Sequence, residues 1–546
     1  MSTTNLLVSG VLLGIVAWAA IRLFQESHRP GPSHPLPPGP KPKPIIGNLG
    51  DLPPPGAREW EHWAKHKDLY GPISSVTAFG TTIVILNTLK VATDLLDGRS
   101  AIYSDRAKME FGGELCGWKY MLALRPYGNG MRAVRKFLHG AVGTKASLVN
   151  YAEMQETEVR RFLLRVLERP EALRDHIRTE AGAIILKVGY GYEIEPHKED
   201  PLVKLADEAM EQFSKAMIPG AWLVDMIPQL RYLPDWMPGT GFKKTAKAWK
   251  ATLIDTVEKP HALVRKQMAE ARNLTSVLSL AYEKEPNMDA DQQHIVKWAS
   301  GALYAGGADT TVSTMSTFFL LMSLSPEVQI KAREEIDRVI GTGRLPTLAD
   351  RERLPYVGAV FSEALRYHPI APMGLPHQTT TEDVYEGYRI PKGAIIMPGS
   401  WVFTRDESVY PDPETFNPDR FLGPNPAPHP DFVFGFGRRV CPGKLLAEQS
   451  VWLTIAHSLA VFDIASPSPN GGGGGAKKPK KGESMFVGGV VSHPAPYEVT
   501  VRPRTPGHAA LIREVEKTHP WRESDAEELA SIKAEWEHKK SASDHY

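Results

Sequence analysis

A ten-residue segment near the carboxyl end, Phe434 to Gly443, constrains this chain more than any other stretch. It reads Phe-Gly-Phe-Gly-Arg-Arg-Val-Cys-Pro-Gly, so one cysteine follows a glycine-rich, doubly basic turn. A thiolate is a strong ligand for a soft metal, and nearby positive charge lowers the pKa of a thiol. Glycines allow the backbone to pass close to a bulky flat group. The segment therefore indicates either a metal-ligating Cys441 or, as the simpler alternative, a buried cysteine in a surface turn.

A second pattern of small residues lies in the middle of the chain. Ala302, Ala305, Gly306 and Asp309 are spaced i, i+3, i+4 and i+7, which places them on one face of a helix. A glycine inside a helix costs about 1 kcal/mol relative to alanine, so this face needs a compensating role. One role is to leave room for a flat cofactor, with Asp309 and Thr310 supplying an acid and a hydroxyl. The alternative is close helix packing, with Thr310 bonded back to the Gly306 carbonyl.

Composition narrows the functional classes. The chain has 546 residues, and 64 Lys+Arg against 63 Asp+Glu give a net charge of +1, with no basic tract interleaved with aromatic residues. Nucleic acid is therefore not an expected partner. The two cysteines, Cys116 and Cys441, form no C-x-x-C pair, which argues against a zinc site and a disulfide scaffold. We interpret Cys116 as an inert core or loop thiol.

The amino-terminal region predicts a membrane anchor. Leu6 to Ile21 is an uncharged and mostly apolar run, close to the ~17–25 residues that a spanning helix needs. Basic residues follow this run and none precede it, which favours a cytosolic body. The alternative is a signal peptide cleaved after Ala17-Trp18-Ala19. We expect an anchor over residues 1–29, followed by a stiff proline-rich hinge over 30–44.

The rest of the chain predicts a helical protein with small sheets. Two alternating runs, around Ile73–Ala78 and Thr82–Leu86, indicate a β-hairpin. Residues 150–340 show mostly helical patterns, and short strands with Pro/Gly turns follow Thr379. A Gly/Lys-rich stretch over 466–482 indicates a flexible surface loop, and the last thirty residues form a charged tail.

These segments together resemble the cytochrome P450 family over about residues 35–515. The resemblance rests on Phe434–Gly443, on Gly306–Thr311, on the Glu-x-x-Arg pair of Glu363 and Arg366, and on Phe416–Phe421. It implies a mainly α fold with small β-sheets, the P450 fold, behind an N-terminal transmembrane helix. The haem domain would span residues 45–516 and the charged tail 517–546.

The resemblance also implies a cofactor and roles for individual residues. The cofactor is haem b (iron protoporphyrin IX), with the thiolate of Cys441 as the axial ligand of the iron. Asp309 and Thr310 are the implied catalytic pair, which delivers protons during oxygen activation. The other implied cofactor contacts are Phe434, Arg439, Arg135, His377 and Gly306.

Two positions depart from the family pattern, and one set of residues has a structural role. Met131 stands where a tryptophan usually contacts a haem propionate, and Arg132 is a candidate to compensate. Arg405 stands where many relatives carry histidine. The family assigns Glu363, Arg366 and Arg420 to locking the core beneath the haem loop.

Substrate walls are expected from five apolar stretches: Met109–Leu122, Met210–Trp236, Ala302–Gly306, Ile370–Leu375 and Met485–Val487. Trp222, Leu223, Met226 and Ile227 form a candidate patch for dipping into the membrane. Taken singly, an apolar stretch of this kind is more often part of an ordinary core than a substrate wall.

The function implied by the resemblance is a monooxygenase, RH + O2 + 2e⁻ + 2H⁺ → ROH + H2O, acting on a lipophilic small molecule. Tyr103–Arg106 and Glu114–Trp118 are similar to fungal secondary-metabolite P450s of the O-methylsterigmatocystin oxidoreductase type. No flavin or nicotinamide fingerprint is visible, so electrons would come from NADPH–cytochrome P450 reductase, with cytochrome b5 as a second donor. The expected location is the endoplasmic reticulum membrane, single-pass, with the catalytic domain in the cytosol. Two alternatives stay open: a haem-thiolate isomerase or dehydratase that needs no reductase, and a non-catalytic haem-binding protein.

Overall fold

The computed structural model of the protein describes residues 34–54, 56–78, 80–218, 220–466 and 484–532. The predicted anchor, residues 1–29, and nearly all of the predicted Gly/Lys loop lie outside these residues. Across the described ranges, no helix is both long enough and apolar enough to span a lipid bilayer.

The fold is mainly helical with small sheets, as the sequence predicts. In the described part of the chain, the helices of eight or more residues are α1 (Glu59–Tyr70), α2 (Asn129–Val142), α3 (Ala152–Glu168), α4 (Leu173–Tyr190), α5 (Pro201–Ala216), α6 (Gly241–Ala269), α7 (Val277–Lys284), α8 (Ala290–Leu324), α9 (Pro326–Val339), α10 (Pro355–Tyr367), α11 (Lys444–Val461) and α12 (Pro506–Thr518). The strands are β1 (Ile73–Ala78), β2 (Thr81–Leu86), β3 (His377–Gln378), β4 (Asp383–Tyr385), β5 (Tyr388–Ile390), β6 (Ile395–Pro398), β7 (Phe462–Ala465) and β8 (Thr500–Pro503).

Helix α8 runs through the centre of the molecule. It begins at a capping box in which Asp289 and Gln292 each accept a 2.8 Å hydrogen bond from the other's backbone N–H. Its 35 residues span about 52 Å, and most of its second half is buried on all sides. A helix that is apolar all round belongs in a core, and α8 packs against α2, α4 and α5.

The largest sheet has the strand order β1-β2-β6-β3. β1 and β2 form the predicted antiparallel hairpin, with Ile73 opposite Leu86, so this prediction is confirmed. β6 pairs in parallel with β2, and β3 pairs antiparallel with β6. This order places His377, at the start of β3, in the protein interior, although it lies far from the hairpin in sequence.

The proline-rich stretch lies along β1. The Ser75 backbone N–H donates to the Pro38 carbonyl at 2.8 Å, and the Ser75 hydroxyl donates to the Pro37 carbonyl at 2.7 Å. A Cβ at Gly39 would lie 1.9 Å from the Ser75 carbonyl oxygen, so only glycine allows this approach. The described part of the predicted hinge is thus anchored to the sheet.

The described part of the charged tail is also packed. The Trp521 ring lies under the guanidinium groups of Arg161 and Arg165, at 4.4 and 5.0 Å from the ring centroid. The Asp525 carboxylate accepts 2.8 Å hydrogen bonds from the Glu193 backbone and the Gln267 side chain. Residues 517–532 therefore close over the buried charges of α3 and the end of α6.

Candidate active site

A cavity of about 350 Å³ lies between the loop 434–443, the start of α11 and the middle of α8. Its walls are mainly apolar side chains. The structure brings together nearly all of the residues that the sequence predicts for the site. Those that line the cavity are Cys441, Phe434, Arg439, Arg135, His377, Gly306 and Thr310. Asp309, next to Thr310, lies behind this wall.

Glycines determine the path of the cysteine loop. Gly435 and Gly437 have φ values of +90° and +51°, a region that favours glycine. A Cβ at Gly437 would lie 2.2 Å from the Leu96 carbonyl oxygen. The loop closes through the Cys441 backbone N–H, which donates to the Phe434 carbonyl at 2.7 Å. Tight local geometry therefore directs the cysteine sulfur into the cavity.

The Cys441 sulfur lies in a setting that suits a metal-bound thiolate. Burial raises the pKa of the free Cys441 thiol, while the Gly443 backbone N–H, Arg135 and Lys444 oppose that rise. Backbone N–H groups and cations stabilise a sulfur anion, and a metal supplies the remaining stabilisation. By contrast, burial raises the pKa of the Cys116 thiol to about 12, with Asp225 adding to the rise. Cys116 is buried in the core, as the sequence predicts.

The adjacent glycines Gly306 and Gly307 of α8 have different roles. A Cβ at Gly306 would meet no atom within 4 Å, because this residue faces the cavity. A Cβ at Gly307 would lie 2.7 Å from the Ile185 side chain of α4. The Thr310 hydroxyl donates to the Gly306 carbonyl at 2.6 Å. Both sequence interpretations thus hold, since Gly306 leaves open space while Gly307 and Thr310 show close packing and back-bonding.

Arg439 and Arg106 line the cavity, and each also donates three hydrogen bonds to backbone carbonyls. Arg439 donates to the carbonyls of Ser104, Leu122 and Arg125 at 2.7–3.2 Å, and Arg106 donates likewise to three carbonyls. Burial lowers the pKa of Arg439 to about 10, so it stays cationic at neutral pH. Arg106 is a cavity residue to which sequence reasoning assigned no role. Its partners come from distant segments, so no local pattern could reveal it.

Among the three arginines that line the cavity, Arg135 makes the fewest hydrogen bonds to the protein. Its Nη1 donates to the Val440 carbonyl at 2.8 Å. Arg132, the expected substitute for the missing tryptophan, lies elsewhere: it bonds to Asn129 at the surface and does not line the cavity. The side chain of Met131 is buried in the main core. The structure therefore does not support compensation by Arg132.

His377 lines the cavity as a neutral ring. Its Nδ1–H donates to the Tyr103 carbonyl at 2.7 Å. Burial, and then the charge of Arg106, lower the pKa of His377 well below its usual range. A neutral imidazole held in this way presents a lone pair and not an N–H at Nε2. It is better suited to packing against a cofactor than to binding a carboxylate.

A buried ion network joins α10 to the segment around Asn417 and Arg420. The Glu363 carboxylate accepts hydrogen bonds from Arg366 at 2.7 and 2.8 Å, from Arg420 at 3.1 Å and from the Asn417 backbone at 2.9 Å. Glu363 and Arg366 are 0 % exposed. The structure confirms that these three charged residues form one cluster.

The apolar walls mostly follow the predicted stretches. The contributing side chains include Trp118, Met121, Leu122, Met210, Phe213, Ile370 and Leu375. The prediction of a wall at Met485–Val487 is wrong, because Val490 and Val491 line the cavity instead. Phe486 stacks on His368 with ring centroids 3.5 Å apart, and this contact holds the segment away from the cavity.

An ion pair that sequence reasoning missed lies behind the cavity wall. His493 Nε2 is 3.1 Å from Asp309 Oδ1, and the two side chains are 19 % and 17 % exposed. The sequence contains no signal for this contact, since His493 belongs to a loop that precedes β8. It gives the acid of the predicted catalytic pair an imidazole partner.

Taken together, the cavity fits a flat apolar cofactor with a soft metal centre. Cys441 offers a sulfur ligand, and the open space beside Gly306 accommodates a planar group. Arg135 and Arg439 offer positive charge for anionic substituents. These are the donor set and the shape that a haem group requires.

Comparison with known proteins agrees with this geometry. A sequence model of the family described as "Cytochrome P450" matches residues 37–501. The chain is 48 % identical over 499 residues to cytochrome P450 monooxygenase claR of Ampulloclitocybe clavipes, covering 90 % of this chain and 91 % of that protein. It is 45 % identical to cytochrome P450 monooxygenase ppsD of Aspergillus oryzae, covering 91 % and 94 %. It is 38 % identical to O-methylsterigmatocystin oxidoreductase of Aspergillus flavus, covering 97 % and 98 %.

Proposed function

The chain belongs to the cytochrome P450 family, and from this premise we propose that it inserts one oxygen atom of O2 into a lipophilic small molecule. It is an oxidoreductase of the P450 monooxygenase class, and its cofactor is haem b. One observation carries the proposal. A single apolar cavity is lined on one side by the Cys441 residue of the loop and on another by Gly306 and Thr310 of α8.

In this proposal, the Cys441 sulfur would bind the haem iron as a thiolate. Bound haem would supply oxygen activation, and a thiolate ligand would favour O–O cleavage. Arg135 and Arg439 would neutralise the anionic groups of the cofactor, Phe434 and His377 would pack against it, and Gly306 would leave space beside it. The loop hydrogen bond from Cys441 to Phe434 holds the sulfur in place before the cofactor binds.

Asp309 and Thr310 are the proposed proton-handling pair. The Thr310 hydroxyl lines the cavity and is held by its bond to the Gly306 carbonyl, so its oxygen can accept a proton as it donates its own. The Asp309 carboxylate is the next acid along the helix. A proton relay of this kind has a use in oxygen activation and none in an isomerisation or in a haem-storage protein.

The substrate is proposed to be a lipophilic product of fungal secondary metabolism. Aromatic and aliphatic side chains such as Trp118, Met121 and Phe213 form most of the cavity surface and favour apolar ligands. The names of the similar fungal proteins support this class, since one of them acts on O-methylsterigmatocystin.

Electrons are proposed to come from NADPH–cytochrome P450 reductase, with cytochrome b5 as a second donor, at the endoplasmic reticulum membrane. The anchor invoked here, residues 1–29, lies outside the described residues. Support comes from exposed apolar side chains in the predicted membrane patch and just after it. These are Leu223, Met226, Ile227, Tyr232 and Trp236.

The decisive experiment compares two cysteine variants. Cys441→Ala should abolish the thiolate signature in the reduced, CO-bound absorption spectrum, because no sulfur then binds the iron. Cys116→Ala is the matched control and should keep that signature, since Cys116 is buried away from the cavity. An unchanged spectrum in Cys441→Ala would refute the ligand assignment.

Activity is then sought among lipophilic compounds that shift the haem spectrum, with NADPH, reductase and O2. Thr310→Ala should keep haem but divert electrons to hydrogen peroxide. Turnover of a hydroperoxide without NADPH and O2 would instead favour the isomerase or dehydratase alternative.

A further inference from the structure

A second pocket, of about 480 Å³, lies on the other side of Asp309 from the haem cavity. Glu171, Arg174 and Glu498 line it and are exposed, so the pocket lies at the protein surface. His493 and Ser316 form part of its inner wall. Water therefore has access to the outer side of His493.

The His493–Asp309 pair is the partition between the two pockets. His493 lines the surface pocket, and Thr310, the neighbour of Asp309, lines the haem cavity. The 3.1 Å separation of Nε2 and Oδ1 is within hydrogen-bond reach, and both side chains are mostly buried. His493 thus connects the surface pocket with Asp309, the neighbour of a residue that lines the haem cavity.

The protein holds His493 firmly in this place. The His493 carbonyl accepts a 2.9 Å hydrogen bond from the Val487 backbone. The adjacent Ser492 is fixed on both sides: its carbonyl accepts from the Ser313 hydroxyl of α8 at 2.5 Å, and its hydroxyl lies 2.7 Å from His368 Nε2. The loop that carries His493 is therefore attached to α8, the helix that carries Asp309. This attachment holds the His493 ring beside the Asp309 carboxylate.

Charged groups around the pair balance each other. Burial raises the pKa of Asp207, and Asp309 raises it further, whereas Arg178, His493 and Arg174 lower it. Arg178 Nε lies 3.1 Å from the Asp207 carboxylate. His493 interacts electrostatically with Asp309, Asp207 and His368, and Arg174 lines the same surface pocket.

We propose that His493 is a positioning residue that feeds protons from the surface pocket to Asp309. The inference rests on the proposed monooxygenase function, which consumes two protons for each oxygen atom inserted. The imidazolium Nε2–H bond breaks as its proton passes to the Asp309 carboxylate, which leaves a neutral ring and a protonated carboxyl group. The carboxyl O–H bond then breaks as the Thr310 hydroxyl oxygen accepts the proton and releases its own proton into the haem cavity, so the carboxylate is restored. A hydronium ion in the surface pocket reprotonates Nε2 and leaves water, so each cycle moves one proton and no electrons. An imidazole suits this role because it has two nitrogen atoms that exchange protons near neutral pH.

The first test needs no turnover. Hydrogen–deuterium exchange at the imidazole C2–H is measured for each histidine at one neutral pH, in the wild-type holoenzyme and in Asp309→Asn. Exchange at His493 should change at least about twofold in the variant, because the ring loses the carboxylate that lies 3.1 Å from its Nε2 atom. Exchange at the distant, exposed His197 should not change. An unchanged His493 rate would overturn the pairing and the inference.

The second test separates proton delivery from a structural role. His493→Gln removes the titrating ring, and His493→Arg keeps a cation that cannot release its proton. The probes are 7-alkoxycoumarins, turned over either with NADPH, reductase and O2 or with iodosylbenzene, an oxygen-atom donor that requires no protons. The ratio of O2-driven to iodosylbenzene-driven product should fall at least about fivefold in both variants, and the dependence of this ratio on pH should differ from that of the wild type. The control variant His197→Gln should keep the wild-type ratio.

Failure of the proton relay and failure of the monooxygenase function give different results. A wild-type ratio and pH profile in His493→Arg would overturn the relay, since a static ion pair would then suffice. A wild-type ratio in His493→Gln would overturn it as well. Failure of the wild-type enzyme with both oxidants would refute the proposed function, and the relay with it.

Discussion

Removal of the Glu363 carboxylate tests how much the buried ion network contributes to stability. Glu363 accepts hydrogen bonds from Arg366, Arg420 and the Asn417 backbone, and neither Glu363 nor Arg366 has any exposed surface. In Glu363→Ala, the Arg366 guanidinium stays buried without its counter-charge. Breaking one side of a buried pair costs about 3–5 kcal/mol, because the remaining charge is left uncompensated.

This cost is large against a typical folding free energy of about 5–15 kcal/mol. We therefore expect Glu363→Ala to lower the urea midpoint markedly and to yield little protein with the thiolate signature. The urea midpoint of Glu363→Gln should lie between those of Glu363→Ala and the wild type, because an amide oxygen still accepts hydrogen bonds but carries no charge. Unfolding is followed by circular dichroism and by the Soret absorption in parallel, since loss of cofactor breaks two-state behaviour.

An exposed pair provides the matched control. Lys204 and Glu199 form a similar contact, but their side chains are 63 % and 67 % exposed. Glu199→Ala should cost about 0–1 kcal/mol, because water and salt screen the interaction. If Glu363→Ala shifted the unfolding midpoint no more than Glu199→Ala does, the argument that burial makes this network essential would be wrong.

Three further predictions follow from the site and the core. Gly437→Ala should cost about 2 kcal/mol or more and lower haem content, whereas Gly423→Ala, also at positive φ but with open space, should cost about 1 kcal/mol in thermal unfolding. Arg135→Gln should weaken haem binding about tenfold in a titration, and Arg132→Gln should leave it unchanged. Burial raises the pKa of Glu180 to about 8, so the folded state binds an extra proton above the unfolded pKa of about 4.5. The free energy of unfolding should then fall as the pH rises from about 5 to about 8, by at most about 5 kcal/mol. Glu180→Gln should abolish this dependence on pH.

Local sequence patterns were sufficient for the ligand loop and for the face of α8. The glycines of Phe434–Gly443 shape the backbone wherever the loop lies, and helix geometry alone places Ala302, Ala305 and Gly306 on the side that lines the cavity, although Asp309 lies behind that wall. The hairpin of β1 and β2 is likewise a local structure. These features depend on residues close together in the chain, so they are readable before any fold is known.

Only the tertiary structure decided which distant groups meet. Three features depend on the path of the chain. They are the contact between His493 and Asp309, the hydrogen bonds from Arg439 to three backbone carbonyls, and the cavity wall formed by Val490 and Val491 where the sequence predicts Met485–Val487. Hydrogen bonds and charges act over a few ångströms in space and ignore separation in sequence. The sequence by itself therefore determined which atom is suited to bind the iron, and the fold decided which side chain stands between that site and the water that supplies its protons.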